Sequence, residues 1–413
     1  MASVRRLGAA AVMIIALTTI SCGSTTPAGD QQRIDRDKVG KLTQTQALST
    51  SAALNDIGFA VHRDLMRPGG NTVTSPLSLG GLLGLLAPGA DGRAADDLTK
   101  LLRLKSTEDP AIGALLVQLT DTKDVTLNIA NSLWTNSGVT LRDSYSDFVR
   151  KVYGATTESV PLGEQQGAER IDSWVKDSTN GRITEMSQAL GLPDPDAVLV
   201  LLNAVYFKGT WTTRFDPADT RPGDFHLPSG STVEVPLMSL PDNAKSVETA
   251  QSATFDLLRL PYGKDKRFGM DILLPHETVD ISEFIRSVDP GDWAKARAEL
   301  HEAETMVLLP KFTTKVESDL IAPLRTVGLA SIFGDGALPK LTDSGGALTK
   351  VAQSVYIAVD EAGTEAAAVT GGAMTTSAPV PFSVDRPFAF AITDRVTGAV
   401  LFLGTINDPS AAG

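Results

Sequence analysis

Residues 357–387 read IAVDEAGTEAAAVTGGAMTTSAPVPFSVDRP and contain a long run of very small side chains. The stretch begins as a strand, because residues 355–359 are mostly of types that favour β structure. From Thr364 to Ala373 the only charged residue is Glu365. A permanent core strand would be bulkier and a solvated linker would be more polar. By composition alone, a surface loop of alanine and glycine also fits.

Read with the period of a β-strand, this run has one uncharged face and one face with a single carboxylate. The uncharged face holds Thr364, Ala366, Ala368, Thr370, Gly372, Met374 and Thr376. The other face holds Glu365, Ala367, Val369, Gly371, Ala373 and Thr375. The pattern predicts a loop that is able to become a strand within a crowded sheet.

Length and composition describe an ordinary globular protein. The 413 residues could form one large domain or two to three small ones, and 42 % of them are hydrophobic. The net charge of −12 argues against nucleic acid or an anionic membrane surface as a partner. A single cysteine excludes an intramolecular disulfide.

The N-terminal segment predicts export. Arg5 and Arg6 precede an apolar run, 7–20, that is too short for a membrane span. The run ends before Cys22 and resembles a bacterial lipoprotein signal, although Thr19 stands where leucine is usual. The resemblance implies a signal peptide at 1–21, lipidation of Cys22 and a location at the cell surface. The alternative is a plain secretory signal and a secreted protein. The polar residues 22–45 are predicted to form a flexible tether.

Periodicity predicts the main elements of the remaining chain, 46–413, which we interpret as one domain. Helices are expected around 54–65, after the N-cap Ser75, and at 95–102, 168–175 and 324–333. Strands are expected at 125–134, 198–207, 233–238, 254–261, 268–275 and 307–312, with a hairpin at 388–405. The strand at 198–207 is almost wholly apolar, which predicts burial on both faces. Pro236 predicts that its strand lies at a sheet edge.

The motif DEAGTEAAAVTG at 360–371 resembles the reactive-loop hinge of the serpins, a family of serine protease inhibitors. NTVTSPLSLGGLL at 71–83, LLNAVYFKGTW at 201–211 and LLPKF at 308–312 also resemble serpin segments, and the resemblance covers about nine-tenths of the chain. It implies an α+β serpin fold with a large mixed five-stranded sheet and further sheets. About eight to nine helices and an exposed reactive loop are also implied.

The resemblance also implies roles for individual residues. The hinge would comprise Glu361, Gly363, Thr364, Glu365, Ala366, Ala367, Ala368, Val369 and Thr370. The region where the main sheet opens would comprise Asn71, Ser75, Ser78, Asn203, Trp211, Lys311 and Gln353. Lys311 is expected to pair with Glu361. Gln353 stands where the family often has a histidine, and it can both donate to and accept from Asn203 and Ser78.

The implied activity is suicide inhibition of a serine protease by a protein that is not itself an enzyme. The protease cuts the loop, forms a covalent acyl-enzyme and is trapped when the loop inserts into the main sheet. Family spacing places the cut at Ser377–Ala378, with Thr376–Ser377 as the alternative. The side chains there are small, which favours elastase-like or subtilisin-like targets. A monomer without cofactor or metal is expected.

Two other functions remain open at this point. A non-inhibitory serpin could act as a binding protein at the cell surface, although bulky or charged hinge residues are typical of such proteins. A hydrolase could use Ser344, because residues 343–346 resemble the nucleophile segment of chymotrypsin-like proteases. That function is disfavoured because none of the four histidines lies in a setting that resembles the base of that family.

Overall fold

The computed structural model describes residues 33–120, 122, 125–241, 247–276, 278–288, 290–343, 347–364 and 381–411. The α-helices in these ranges are α1 (Arg36–Val39), α2 (Gln44–Leu65), α3 (Pro76–Leu86), α4 (Gly92–Leu102), α5 (Ala111–Thr120), α6 (Asp143–Tyr153), α7 (Gln165–Ser178), α8 (Ile281–Ser287), α9 (Pro290–Ala298) and α10 (Ile321–Leu324). None of the helices in the described ranges combines the length and apolar character that a membrane span requires.

Seventeen strands form three sheets in the same ranges. They are β1 (Thr72–Thr74), β2 (Val125–Asn136), β3 (Thr156–Val160), β4 (Leu199–Thr210), β5 (Arg221–His226), β6 (Thr232–Leu240), β7 (Glu248–Gln251), β8 (Phe255–Pro261), β9 (Phe268–Pro275), β10 (His301–Glu302), β11 (Val307–Pro310), β12 (Phe312–Asp319), β13 (Leu348–Asp360), β14 (Gly363–Thr364), β15 (Phe382–Ser383), β16 (Phe388–Asp394) and β17 (Val400–Ile406).

The main sheet has the order β12-β13-β14-β4-β2-β3 and is mixed, as predicted. Four of its strands have 8 to 13 residues, β3 has 5, and β14 adds only 2 residues at one end. At its centre β13 and β4 run parallel, with Gln353 opposite Asn203 and Tyr356 opposite Tyr206. The apolar β4 is buried along almost its whole length, which confirms the prediction from its sequence. The centre of the sheet is therefore a closed parallel pair.

The other two sheets cover the core on its remaining sides. One is wholly antiparallel with the order β1-β17-β16-β9-β8-β7-β10, and it contains the predicted C-terminal hairpin β16–β17. The other has the order β15-β11-β6-β5. Helix α3 is buried on all sides, starts with Pro76 and is capped by Ser75, whose Oγ accepts from the amide of Ser78 at 3.3 Å. The expected α+β fold is confirmed.

The prediction that Pro236 marks an edge strand is wrong. Strand β6 lies between β5 and β11 and pairs with both. Pro236 faces Pro222 of β5, so neither of these residues needs a ladder donor from the other. On the opposite side, β11 ends at Pro310 opposite Leu237, and the Pro236 carbonyl still accepts from the amide of the next residue, Lys311, at 2.9 Å. Pro236 is tolerated inside this sheet because its missing N–H leaves only one ladder position unfilled, at the end of the β11 pairing.

Two predicted boundaries also need correction. Part of the predicted tether 22–45 is folded, because α1 lies within it and Val39 is buried. The amide of Asp35 also donates to the carbonyl of Lys151, which joins this segment to α6. The predicted helix 324–333 is the end of α10 followed by a π-helical turn (Arg325–Leu329) and a 3₁₀ turn (Ala330–Phe333), with a kink where Gly328 has a φ of +98°.

Candidate functional site: the hinge site and the central polar network

The chain leaves β13 through a tight turn and returns at once into the main sheet. Asp360 Oδ1 accepts hydrogen bonds from the amides of Ala362 at 2.9 Å and Gly363 at 3.2 Å. Strand β14 then runs antiparallel to both β13 and β4, so that Thr364 lies between Val359 and Gly209. Gly363 and Thr364 of the predicted hinge therefore already occupy a strand position between the two central strands.

Gly363 is required at this point by the closeness of β4. It has a φ of +153°, and a Cβ atom there would lie 2.0 Å from the carbonyl oxygen of Gly209. Any side chain would have to push the two strands apart. The glycine thus allows the backbone to turn into the sheet without opening it further.

Thr364 is fully buried, and its hydroxyl shares a hydrogen bond with the Tyr262 hydroxyl at 2.6 Å. Tyr262 follows β8 and stacks on Trp211, with ring centroids 4.4 Å apart and planes 12° apart. Trp211 Nε1 donates to the carbonyl of Asp360 at 2.9 Å. The predicted residue Trp211 thus lies beside the hinge, and Tyr262 is a contact that the sequence did not indicate.

Glu361 is fixed by two polar partners. Its Oε2 lies 2.9 Å from Lys311 Nζ, and its Oε1 accepts from the Thr220 hydroxyl at 2.9 Å. Burial disfavours the charged carboxylate, but the hydrogen bonds from Lys311, its own backbone amide and Thr220 hold the pKa of Glu361 below its ordinary value. Lys311 can reach it because it separates β11 from β12, a stretch predicted as one strand. We call Trp211, Tyr262, Lys311 and residues 360–364 the hinge site.

The neighbouring carboxylate behaves in the opposite way. Burial raises the pKa of Asp360 above its ordinary value, although the amides of Ala362 and Gly363 favour its charged form. The pKa values of two adjacent acidic residues are therefore shifted in opposite directions. Glu361 forms a direct ion pair with Lys311, whereas Asp360 accepts from backbone amides.

A second group of predicted residues meets in the middle of the sheet. Asn203 Oδ1 accepts from the Ser78 hydroxyl at 2.6 Å and from Gln353 Nε2 at 3.2 Å. Gln353 Oε1 accepts from the amide of Ser75 at 3.0 Å. Asn203 Nδ2 donates to Asn131 Oδ1 at 2.9 Å. We call these five buried residues the central polar network, which joins α3 to β2, β4 and β13.

Asn71 does not belong to this network, although the motif around it suggested so. Its Nδ2 donates to the carbonyl of Asp408 at 2.7 Å, and its Oδ1 accepts from the amide of Asn407 at 2.8 Å. The extended strand β1 separates Asn71 from Ser75 and pairs with β17, which directs Asn71 to the C-terminal segment. Its place in the network is taken by Asn131, opposite Asn203 in the sheet register.

Several predicted residues lie outside the described ranges. They are Cys22, Ser344, Glu365, Ala366, Ala367, Ala368, Val369, Thr370, Ser377 and Ala378. Within the described part of the chain, no group of three or more histidine, cysteine or acidic side chains could hold a metal ion. His62 is fully buried, and burial lowers its pKa to about 3.

Comparison with known proteins agrees with this geometry. The family described as Serpin (serine protease inhibitor) matches residues 52–409. Serpin-Z10 of Arabidopsis thaliana is 32 % identical over 364 residues, which cover 83 % of this chain and 92 % of the relative. Native protease nexin-1 with heparin superposes with a TM-score of 0.78 at 28 % identity, over 88 % of this chain and 100 % of that chain.

A third comparison bears on the fold alone. Human thyroxine-binding globulin complexed with thyroxine has a TM-score of 0.80 at 24 % identity, over 89 % of this chain and 100 % of that chain. The fold and the hinge site define a protein whose main sheet holds Gly363 and Thr364 between β13 and β4. The chain belongs to the serpin family, the members of which are in general protease inhibitors.

Proposed function

We propose that this protein is a suicide-substrate inhibitor of serine proteases that traps its target by inserting the cut loop into the main sheet. The observation that carries the proposal is the position of Gly363 and Thr364 between β13 and β4. A strand that has begun to form at this position can be extended along the same gap. Extension would convert one parallel strand pair into two antiparallel pairs with new ladder hydrogen bonds.

The chemistry is that of an interrupted proteolysis. The protease serine attacks the carbonyl carbon of Ser377, the bond to Ala378 breaks, and the freed α-amine of Ala378 takes a proton. The ester that remains ties the protease to the chain that ends at Ser377. If this chain enters the sheet before water reaches the ester, the protease is moved away from its binding position and its active site is distorted.

The side-chain pattern supports insertion. Thr364 points into the molecule, where its hydroxyl meets Tyr262. With a period of two, the residues that would follow it inward are Ala366, Ala368, Thr370, Gly372, Met374 and Thr376. None of them is charged, so insertion would bury no unpaired charge on that face. The single carboxylate of the run, Glu365, would face the other way.

The length of the segment also fits. The fourteen residues from Thr364 to Ser377 would span about 46 Å as a strand. Strand β13 has 13 residues and spans about 43 Å by the same rise. An inserted loop would therefore run the full length of its neighbour and carry the protease to the opposite end of the sheet.

The central experiment is incubation with elastase-like and subtilisin-like proteases. We expect a stoichiometric complex that survives SDS, with a mass equal to the protease plus the chain up to Ser377, together with a released peptide that starts at Ala378. Cleavage without a trapped enzyme would contradict the proposal. A cut outside 373–380 that still traps protease would contradict the placement of the reactive bond.

A second measurement separates inhibition from a purely binding function. Insertion adds a strand to the sheet, so the melting temperature should rise strongly when the loop is cut. A non-inhibitory serpin that serves as a surface binding protein would show no such rise. An unchanged melting temperature after the loop is cut would therefore support the binding function and contradict the proposed inhibition.

We also propose that the protein is exported, lipidated at Cys22 and held at the cell surface of a bacterium as a monomer. The basic and apolar residues before Cys22 support this proposal. Cys22→Ser should move the protein from the detergent phase to the aqueous phase after Triton X-114 extraction. Wild-type protein in the aqueous phase would instead favour a secreted form.

A further inference from the structure

We propose that Tyr262 is a positioning residue for loop insertion, and that its hydroxyl holds Thr364 in the sheet as the starting point of the new strand. This inference rests on the proposed function, because it concerns the speed of the same insertion. It follows from the hydrogen bond of 2.6 Å between the two hydroxyl groups, both of which are buried.

The Tyr262 ring is fixed on several sides. It stacks on Trp211 at 4.4 Å and meets the edge of Phe207 at 5.1 Å. A Cβ atom on Gly209 would lie 2.8 Å from the ring, so β4 approaches it as closely as a glycine permits. A ring held in this way loses little further freedom when its hydroxyl binds Thr364. Tyr262 is therefore a rigid partner for the first inserted residue.

The hydroxyl also keeps its proton at physiological pH, because burial raises its pKa. Burial raises the pKa of Tyr262 far above its usual value, against the smaller opposing effects of the Thr364 hydrogen bond and of Arg259. A neutral hydroxyl can accept from or donate to Thr364. The contact is therefore independent of pH in the physiological range.

The cut loop must insert before water hydrolyses the acyl-enzyme, so the rate of the first step of insertion decides whether the protease is trapped. When a strand begins to form in a sheet, its register must be fixed and its first residues must be ordered. This ordering costs conformational entropy before many ladder hydrogen bonds have formed to offset it. Here Thr364 is already paired between Val359 and Gly209. Each further residue then extends an existing strand. The Tyr262 hydroxyl would stabilise this starting position.

Removing the hydroxyl should release the hinge. In Tyr262→Phe the Trp211 stack can remain, but the Thr364 hydroxyl is left buried without this partner, which disfavours the inserted position. Thr364→Val removes the other hydroxyl at similar volume. In the double variant both polar groups are gone, and the apolar pair should hold the hinge better than either single variant does. This recovery would separate a specific contact from general damage.

The direct test is hydrogen exchange of the Gly363 and Thr364 amides in the intact protein, read by mass spectrometry or NMR. In Tyr262→Phe their protection should fall about fivefold, which is the factor expected for one buried hydrogen bond. The double variant should regain part of that loss. Unchanged protection in Tyr262→Phe would overturn the inference without touching the proposed function.

The functional test is the number of inhibitor molecules that are cut for each protease trapped. Tyr262→Phe should raise this number about two- to fivefold. Tyr145→Phe is the matched control, because it removes another buried tyrosine hydroxyl, which bonds the carbonyl of Leu85 at 2.8 Å away from the hinge site. Equal or better trapping by Tyr262→Phe than by wild type would overturn the inference. Failure of the wild type to trap would refute the proposed function and this inference with it.

Discussion

The hinge site and the central polar network lie along the same two strands, β13 and β4, but hold them in different ways. At the network the strands pair directly, with Gln353 opposite Asn203 and their side chains 3.2 Å apart. At the hinge site the strands are separated by β14, and their ladder bonds go to Gly363 and Thr364 instead. One sheet thus contains both the closed and the opened arrangement of the same pair.

For the proposed insertion, this difference predicts where the sheet would open first and which contacts would oppose the opening. At the hinge site, two antiparallel pairs, β13–β14 and β14–β4, stand in place of a direct pair between β13 and β4. The remaining length of β13 and β4 is still paired directly. The network adds buried side-chain bonds to the direct pairing, and these must break before a strand can pass. We therefore expect changes at the hinge site to affect the start of insertion, and changes at the network to affect its progress and the stability of the closed sheet.

The largest effect is expected for Thr364→Arg. A guanidinium cannot be buried between Val359 and Gly209 without a counter-charge, so the hinge should leave the sheet and stay out. The variant should be cut by the target protease as fast as wild type, but complex formation should fall about a hundredfold or more. Thr364→Ser, which keeps the hydroxyl, is the control and should still trap. Normal trapping by the arginine variant would show that this residue need not enter the sheet.

A smaller effect is expected for Asn203→Ala. This change leaves Ser78, Asn131 and Gln353 without their shared partner and should lower the free energy of unfolding by about 3 kcal/mol. It should also speed the uptake of a synthetic peptide with the sequence of residues 364–377, as followed by native gel or mass spectrometry.

Asn71→Ala is the matched control for that experiment. It also removes hydrogen bonds, which are partly buried, but these lead to Asn407 and Asp408 rather than across β13 and β4. It should cost about 1 to 2 kcal/mol of stability and leave peptide uptake at the wild-type rate. Equal acceleration by both variants would mean that peptide uptake follows overall stability and not the network.

The smallest effect concerns the two acidic residues of the hinge site. The pKa of Glu361 is lowered in the folded state, so its ion pair stabilises the protein above the ordinary glutamate pKa near 4.5 and is lost as the pH falls below that value. Because Lys311 is 45 % exposed, we expect a contribution of only about 0.5 kcal/mol. Glu361→Gln should remove this part of the acid dependence in denaturant titrations between pH 3 and pH 7.

Asp360→Asn should act in the opposite direction. The raised pKa of Asp360 means that its charged form is less favourable in the folded than in the unfolded chain. An amide oxygen can still accept from Ala362 and Gly363, so stability at pH 7 should be equal or slightly higher. A clear loss of stability would show that the charge itself holds the turn.

The sequence predicted the long elements well because their patterns are local. The apolar run of β4 indicated a doubly buried central strand, and the structure places it between β2 and β13. The small residues after Asp360 indicated a segment able to join a sheet. Whether the first of them was inside or outside the sheet could not be predicted, because the same uncharged pattern suits both positions.

The contacts that were missed depend on how distant segments meet. Tyr262 touches Thr364 only because β8 ends beside the opening of the main sheet, 102 positions earlier in the chain. Asn131 enters the network through its register opposite Asn203, which the alternation within β2 does not determine. Asn71 was wrongly assigned to the same region as Ser75 because the two residues are close in sequence. The extended strand β1 between them keeps them apart in space.

The register of the two central strands has one further consequence. Tyr356 faces Tyr206 directly, and three residues further along each strand Val359 and Gly209 lie on either side of Thr364. Both strands advance by the same number of residues, so β13 and β4 would have to separate sideways by about one strand spacing, near 4.8 Å, without sliding along each other. Such a movement keeps every side chain on its own side of the sheet, so the contacts that it must break are those between β13 and β4 themselves, including the bond of Gln353 to Asn203.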